Sequence, residues 1–381
     1  RYEDGGGLEG DRREMKALVL PGTAQGLEIA ARALTEGELV AIPTETVYGL
    51  AGNAKDERVL ADLFDAKERP RFDPLIFHIA AAPGHGVRAL EKFANDGFLD
   101  PAVLQKKSWL GDASRALVER FWPGPLTLVL PRGPNALDLA TSGLPTVAVR
   151  APAHPLAQAL LSQVPFPLCA PSANRFGRIS PTSASDVAAE LGDRIPFILD
   201  GGRCAVGVES TIIAIQPDGG ARLLRPGGLP VEAIEATLQT KLTSGKNQEG
   251  AAVEAPGNLA SHYAPRCKLT LLPGLATDSV SVSILAKVNL PYALLLFASD
   301  PMNVTDALRQ SQSLRLPVRT LVLTERSNPT EAANRLFSGR RDLDSQEGIE
   351  GLYAEPVPSR FQLSGLGYAI QDRLSRAATE T

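Results

Sequence analysis

The sequence has 381 residues, of which 44% are hydrophobic and 22% charged, and its formal net charge is −4. This length allows two domains of ordinary size, and the composition is typical of a globular protein. The mildly acidic charge argues against a generally basic surface for nucleic acids, although it leaves room for a local basic cleft. No apolar run reaches the roughly 18 residues that a membrane span requires.

The cysteines and the absence of a signal-peptide pattern indicate the cellular compartment of the protein. Three widely spaced cysteines, Cys169, Cys204 and Cys267, show no CxxC spacing. They indicate free thiols in a reducing environment rather than disulfides or a structural zinc site. No signal-peptide pattern is present at the start. We therefore expect a cytoplasmic protein with no membrane association.

The pattern of apolar residues divides the first part of the chain into helices and strands. Residues 1–14 are polar and rich in glycine, and we predict a disordered extension there. Between residues 15 and 240 the predicted helices are AQGLEIAARALTEG, DERVLADLFDAKER, SRALVERFW, HPLAQALLSQV, SASDVAAELG and VEAIEATLQ. The predicted strands are ELVAIP, PLIFHIA, LTLVLP, TVAVRAP, FPLCAP, PFILDGG, STIIAIQ and ARLLRP. This irregular alternation predicts an α/β or α+β domain built on a twisted mixed sheet.

A linker and a second domain follow. Residues 241–267 begin polar and weakly periodic and end in a compact HYAP cluster, so we predict a linker. Over residues 268–381 the predicted strands are KLTLLP, YALLLFA and VRTLVL, and the predicted helices are TEAANRLFSGRRDLDSQ and GLGYAIQDRLSRAA. They favour a smaller, parallel, Rossmann-like α/β domain without a nucleotide-binding fingerprint.

Four clusters of polar residues stand among Gly and Pro at the ends of predicted strands, where α/β proteins usually bind ligands. They are PTETVYGLAGNA, AKERPRFDPLIFHI, LCAPSANRFGRISPT, and DGGRCAVGVESTII with LLRPGG. Hydroxyls, backbone N–H groups and arginine forks suit a carboxylate or a phosphate. Each cluster also has a structural interpretation, as a cap, a turn, a hairpin or cations at a helix end. The residues alone predict an anion-binding α/β domain with a phosphorylated ligand.

Other chemistries lack their motifs. The sequence contains no HExxH, no GxSxG and no paired Asp/His metal set. These absences argue against zinc hydrolysis and covalent serine catalysis. His78 lies in the apolar run IFHIA, where a histidine is more often a satisfied core residue than a ligand.

Seven motifs in order carry a resemblance to a known family. They are PTETVYGL, KERP with DPLIFHI, FWPGPLTLVL, TVAVRAPAHP, APSAN with ISPT, GVESTII and LLRPGG. Together they resemble the YrdC-like threonylcarbamoyl-AMP synthase family over about residues 24–238. HYAP and the second domain resemble its longer, two-domain branch.

The resemblance implies a fold and an activity. It implies a YrdC-like catalytic domain over residues 15–240, with a twisted mixed sheet and a deep cavity. The implied reaction joins L-threonine, bicarbonate and ATP into threonylcarbamoyl-AMP and pyrophosphate. Further enzymes would transfer the threonylcarbamoyl group to the adenosine beside the tRNA anticodon. Mg²⁺ would arrive with ATP, and no metal site made by the protein is expected.

The resemblance also implies roles for individual residues. The signature polar set that would hold carbamate and phosphates is Lys67, Arg69, Ser172 and Asn174. The positions implied around threonine are Thr46, His78, Arg150, Ala170 and Ser210. The positions implied around ATP are Arg69, Asp73, Thr146, Ser172, Ser180, Arg225 and, in the lid formed by HYAP, Tyr263.

The sequence departs from the family pattern at two places, and two alternative functions compete. Asp73 stands where the family usually has Asn, and NLAS precedes His262 where a basic residue is common.

The main alternative function is an RNA-binding or ribosome-assembly module that uses the same cavity and binds RNA weakly. The aromatic content of only 5% argues against stacking of bases on aromatic side chains. A carbamoyltransferase of the hydrogenase-maturation type is disfavoured because the chain has no CxxC.

Overall fold

The computed structural model describes residues 16–217, 219–244 and 266–378 of the chain. The predicted extension, residues 1–14, lies outside the described residues, and so does Tyr263 of the predicted lid. None of the helices in the described ranges is long and apolar enough to cross a membrane.

Eleven strands of the described residues form one large sheet. They are β1 (Leu18–Pro21), β2 (Val40–Ile42), β3 (Gly49–Asn53), β4 (Ile76–His78), β5 (Leu126–Pro131), β6 (Thr146–Arg150), β7 (Leu168–Cys169), β8 (Phe197–Asp200), β9 (Thr211–Ile215), β10 (Ala221–Arg225) and β11 (Thr243–Ser244). Their order across the sheet is β1-β8-β2-β3-β7-β4-β6-β5-β9-β10-β11. Strand β6 is parallel to β4 and antiparallel to β5, so the sheet is mixed, as predicted.

Helices cover this sheet, and several of them begin at polar caps. They are α1 (Ala24–Thr35), α2 (Glu57–Lys67), α3 (Gly86–Asn95), α4 (Trp109–Phe121), α5 (Asp138–Thr141), α6 (Pro155–Gln163), α7 (Ala184–Leu191) and α8 (Val231–Leu238), with a 3-10 turn at Pro101–Leu104. Asp56 accepts hydrogen bonds from two backbone N–H groups at the start of α2. Ser183 and Asp186 form a capping box at the start of α7, which satisfies backbone donors that would otherwise lack partners.

The second part of the chain forms a smaller α/β unit. Its strands are β12 (Lys268–Leu271), β13 (Tyr292–Leu296), β14 (Arg319–Val322) and β15 (Gly351–Ala354). They pair in the order β12-β15-β13-β14, and every pair is parallel. Its helices are α9 (Ser279–Ala286), α10 (Pro301–Gln310), α11 (Pro329–Asp344) and α12 (Gly365–Ala378), with a 3-10 turn at Ser359–Phe361. The predicted parallel, Rossmann-like architecture is confirmed.

Helices α11 and α12 join the two parts. Val208 of the first part and Phe337 of α11 belong to one buried apolar cluster. The side chain of Asn334 donates hydrogen bonds to the backbone carbonyls of Cys204 and Ala205, at 2.8 and 2.9 Å. Apolar packing and directional polar contacts therefore both fix α11 against the first part.

At β5 the large sheet has one face toward helices and one face toward the predicted site. In β5, Leu126 and Leu128 lie in the core shared with residues of α3 and α4, whereas Val129 belongs to a separate apolar cluster. Successive side chains of a strand point to opposite faces, which explains this division. At β5 the helix-covered face supplies the main core, and the opposite face turns to the predicted site. At β2 that opposite face is covered by α1 and α6.

The central position of Leu128 leads to a stability prediction. Leu128 is fully buried, and Leu128→Ala should lower the free energy of unfolding by about 2–5 kcal/mol because it leaves a cavity. The matched control is Leu363→Ala, since the side chain of Leu363 is 84% exposed, and its effect should stay within about 0.5 kcal/mol. Urea unfolding followed by circular dichroism measures both. Equal effects would contradict this assignment of the core.

Candidate active site

One face of the large sheet gathers residues that the sequence analysis selected. In β6, Val147 and Val149 lie in the main core, so Thr146, Ala148 and Arg150 point to the opposite face. Neighbouring strands add further side chains to that face. An apolar stripe there consists of Ile76, Val129, Ala148, Ile212, Ala214 and Leu224.

A cleft of about 510 Å³, measured with its open mouth, lies at one end of this stripe. Its predicted lining residues are Thr46, Arg69, His78, Arg150, Ala170, Ser172, Ser210 and Arg225. The other lining residues are Thr44, Val47, Gly49, Ile76, Pro171 and Glu209. Every residue predicted around threonine therefore lies at one cleft.

Arg150 is held rigidly inside the cleft. Its Nη2 donates to Oε1 of Glu45 at 2.6 Å, its Nη1 donates to Oγ1 of Thr46 at 2.9 Å, and its Nε donates to the carbonyl of Gly124 at 3.3 Å. The second oxygen of Glu45 accepts from the backbone N–H of Ala153 at 2.9 Å. A guanidinium has five N–H groups, so each terminal nitrogen retains one beyond these contacts. The fork is thus oriented before a ligand binds.

His78 stands in the neutral form beside Arg150. Its Nδ1 lies 3.0 Å from the carbonyl oxygen of Ile76. A carbonyl only accepts, so Nδ1 carries the proton and Nε2 is left as an acceptor. Burial, together with the charge of Arg150, lowers the pKa of His78 to about 3. The ring therefore offers a neutral acceptor at the cleft throughout the physiological pH range.

Arg69 lines the cleft and is paired with Asp73. Its Nη2 lies 2.8 Å from Oδ2 of Asp73 and donates to the carbonyl of Pro74 at 3.0 Å. Burial raises the pKa of Asp73, and the charges of Arg69 and Lys67 act in the opposite direction. Asp73 is fully buried and is not part of the lining. Its carboxylate acts on the cleft through Arg69.

Arg225 and Ser210 form a second fixed pair on the lining. The Nε and Nη2 atoms of Arg225 donate to the carbonyl of Ser210, at 3.2 and 3.0 Å. The hydroxyl of Ser210 lies 2.8 Å from the hydroxyl of Thr127. At Gly227 a Cβ atom would lie 2.3 Å from the carbonyl carbon of Ser210, so this close approach of two backbone segments requires glycine. The LLRPGG motif therefore has a packing role as well.

Lys67 and Asn174 support the cleft from outside its lining. The Nζ of Lys67 donates to the backbone carbonyls of Ser172 and Asn174. The side chain of Asn174 donates to the carbonyls of Arg175 and Arg178, at 2.8 and 2.9 Å. Burial, and then the charge of Arg69, lower the pKa of Lys67. The side chains of Lys67 and Asn174 therefore hold the loop that carries Ser172.

Glu209 lines the cleft and was missed by the sequence analysis. Its Oε1 accepts from the hydroxyl of Ser180 at 2.7 Å, and its Oε2 accepts from Nε of Arg373 at 3.0 Å. Burial alone would raise the pKa of Glu209, but the charges of Arg373 and Arg225 and the Ser180 hydrogen bond bring it down to about 2. Ser180 is itself fully buried and not on the lining.

A second cavity lies near the other end of the apolar stripe and includes Thr146. Val129 and Ala214 belong both to the stripe and to the lining of this cavity. Thr146 and Arg150 are four residues apart in one strand, so their Cα atoms are about 13 Å apart. The structure therefore separates Thr146 from the cleft but places it on the same face. Tyr263 lies outside the described residues.

The residues missed by sequence reasoning are two carboxylates, Glu45 and Glu209. Both stand inside selected motifs, PTETVYGL and GVESTII, in which the hydroxyl groups were the predicted ligands. The available signal was that several buried arginines require carboxylates to balance their charge, and each of these two motifs contains one.

Comparisons with known proteins identify the family. A family model described as "Telomere recombination" matches residues 32–227, and one described as "Threonylcarbamoyl-AMP synthase, C-terminal domain" matches residues 229–379. The threonylcarbamoyl-AMP synthase of Bacillus subtilis is 42% identical over 366 residues, covering 92% of this chain and 92% of the relative. That of Pyrococcus abyssi is 36% identical over 360 residues, covering 92% and 94%.

A solved structure gives the same result. The crystal structure of P. abyssi Sua5 complexed with L-threonine matches with a TM-score of 0.77 and 34% identity, covering 95% of this chain and 98% of that one. The resemblance found in the motifs is confirmed at nearly full length. The chain therefore belongs to the threonylcarbamoyl-AMP synthase family of enzymes.

Proposed function

We propose that this enzyme converts L-threonine, bicarbonate and ATP into threonylcarbamoyl-AMP and pyrophosphate. One observation carries the proposal: β6 presents Arg150 at the cleft and Thr146 at the second cavity, on one face of the sheet. An amino acid at one end and a nucleotide at the other would fit this separation. Separate transfer enzymes would then use the product to modify the adenosine beside the tRNA anticodon.

The cleft around Arg150 suits threonine, the ligand with which the related P. abyssi Sua5 was crystallised. The free N–H groups of the Arg150 fork would bind the carboxylate at two oxygens. Nε2 of neutral His78 would accept a hydrogen bond from the substrate. Thr46, Ser210 and the backbone of Ala170 supply further polar contacts at the same lining.

The reaction needs anions brought together. The amino group of threonine would take up the carbon of bicarbonate, releasing water and leaving a carbamate. A carbamate oxygen would then attack the α-phosphorus of ATP, and the bond to the β-phosphate would break to release pyrophosphate. Arg69, Ser172 and Arg225 line the same cleft and would stabilise the charge that builds on the phosphate. Lys67 and Asn174 would keep Ser172 in place.

Mg²⁺ would enter with ATP. The described residues contain no group of three His, Cys, Asp or Glu side chains that could hold a metal ion. In nucleotide sites Mg²⁺ is bound mainly by phosphate oxygens and water. It would neutralise the β- and γ-phosphates. We further propose that the enzyme is cytoplasmic. The predicted role of Tyr263 at ATP falls on a residue outside the described ranges.

The RNA-binding alternative receives no support from the cleft. Its arginines are buried and engaged with carboxylates or backbone carbonyls, as in the pair of Arg150 with Glu45. A small ligand that enters the cleft can contact such arginines, whereas RNA binding relies on exposed cations along a phosphate backbone.

Product analysis tests the proposed function directly. Protein incubated with ATP, Mg²⁺, L-threonine and bicarbonate should form a compound with the mass of threonylcarbamoyl-AMP, together with pyrophosphate. Mass spectrometry and a pyrophosphate assay measure both. Reactions without threonine or without bicarbonate are the controls. A folded protein that forms no such product would refute the proposal.

Arg69 should be essential for this activity. Arg69→Ala should reduce kcat/KM for ATP by about 100-fold or more, because it removes a preorganised cation from the phosphate region. Arg58→Ala is the matched control, since Arg58 lies on α2 with its side chain 71% exposed. Steady-state pyrophosphate release measures both variants. Near-normal activity of Arg69→Ala would rule out the proposed role.

Asp73 should weaken ATP binding. Asp73→Asn removes a buried negative charge next to Arg69 while keeping an oxygen that can face it. We expect the KM for ATP to fall several-fold, because a carboxylate near Arg69 offsets the attraction for phosphate. Asp62→Asn, at an exposed position of α2, is the control. An unchanged KM for ATP in Asp73→Asn would show that Asp73 does not oppose the phosphates.

A further inference from the structure

Glu209 has no part in the reaction as proposed, yet it lines the cleft beside the arginine assigned to ATP. It is 6% exposed, and its pKa of about 2 means that it is ionised at neutral pH. The charge of Arg225 contributes to that low pKa, so the two side chains interact electrostatically. A carboxylate at this place would repel the phosphates of ATP and would attract Arg225 away from them.

The charge that compensates Glu209 comes from the second domain. Arg373 lies in α12, and its side chain is fully buried. Its Nε donates to Oε2 of Glu209 at 3.0 Å, and its Nη1 donates to the carbonyl of Pro226 at 2.6 Å. Pro226 directly follows Arg225 in the LLRPGG motif. Arg373 therefore contacts both the cleft carboxylate and the segment that carries Arg225.

The other oxygen of Glu209 connects this pair to another predicted ATP residue. Oε1 accepts from the hydroxyl of Ser180 at 2.7 Å, and Ser180 is fully buried. Removal of Arg373 would leave Glu209 ionised and without the cation bonded to its Oε2. Arg225 is the other described cation that lowers the pKa of Glu209, and closer pairing with it would withdraw Arg225 from a ligand.

We propose that Arg373 of the second domain is a positioning residue for the ATP site, which is complete only when α12 is docked. Arg373, which also donates to Oδ2 of Asp372 at 2.9 Å, pairs with Glu209 and thereby limits the attraction of Glu209 for Arg225. The second domain thus contributes charge balance to the catalytic cleft. This inference rests on the proposed function, because it assigns Arg225 to ATP.

The experiment compares single and double variants of the full chain. Arg373→Met removes the charge while keeping an unbranched apolar chain, and it should weaken ATP binding about tenfold or more. The KM for threonine should change less than about twofold, because Arg150 and Glu45 are not involved. Adding Glu209→Gln to Arg373→Met should restore most of the ATP affinity. Titration calorimetry with ATP and Mg²⁺, and steady-state kinetics, provide the readouts.

Controls separate charge balance from loss of the domain contact. Asn334→Ala removes uncharged hydrogen bonds between the same two parts of the chain, so it should lower the Tm and leave ATP affinity unchanged. Arg373→Lys retains a charge and should bind ATP within about threefold of the wild type. If Arg373→Met does not fold, Glu209→Gln decides alone: it should bind ATP several-fold more tightly than the wild type, and unchanged affinity would overturn the inference.

The possible failures can be told apart. Unchanged ATP affinity in Arg373→Met would overturn the inference, and so would a double variant as weak as the single one. A loss of ATP affinity of about tenfold in Glu209→Gln would overturn it as well. Wild-type protein that folds but neither binds ATP nor forms the adenylate would overturn the proposed function, and the assignment of Arg373 with it.

Discussion

Charge placed inside a protein must be compensated, and this requirement organises the whole catalytic cleft. The arginines that line the cleft are at most 7% exposed. Such cations are stable only with carboxylates or several carbonyl groups around them. The ion pairs in and beside the cleft are Arg150 with Glu45, Arg69 with Asp73, and Arg373 with Glu209. Each pair also joins segments that are distant in the sequence or stiffens a loop.

Ion pairing orients the arginines for ligand binding, which a cleft of unpaired cations would not do. The guanidinium of Arg150 is fixed by Glu45, Thr46 and a backbone carbonyl. It therefore loses little orientational freedom when a carboxylate binds. Partial neutralisation also limits attraction for unrelated polyanions. Selectivity then depends on the direction of the remaining N–H groups and on the neutral ring of His78, rather than on net positive charge alone.

The mixed sheet and the parallel second domain could be predicted from the sequence because strand periodicity is a local signal. The residues around Arg150 were implied only by the resemblance of the motifs to a known family. The short strand β3 was missed, since GLAGN carries no alternating pattern and pairs only through tertiary contacts. The support role of Lys67 was also missed. A lysine at a helix end looks like a phosphate ligand in sequence, and only the fold brings the carbonyls of residues 172 and 174 to it. Likewise, nothing local relates Glu209 to Arg373, which lies 164 positions later.

Strand β6 fixes the distance between the two ends of the proposed substrate site. Its side chains at positions 146 and 150 point to the same face, and an extended backbone hardly changes its length. Substitution at either end would alter which chemical group is recognised, whereas the span between the two groups would stay the same. A one-residue insertion in β6 would point one of these side chains toward the helix-covered core. A change in the length of the strand would therefore be more disruptive than a substitution within it. In the proposed binding mode, the fixed spacing along β6 therefore sets the distance between the threonine and the nucleotide.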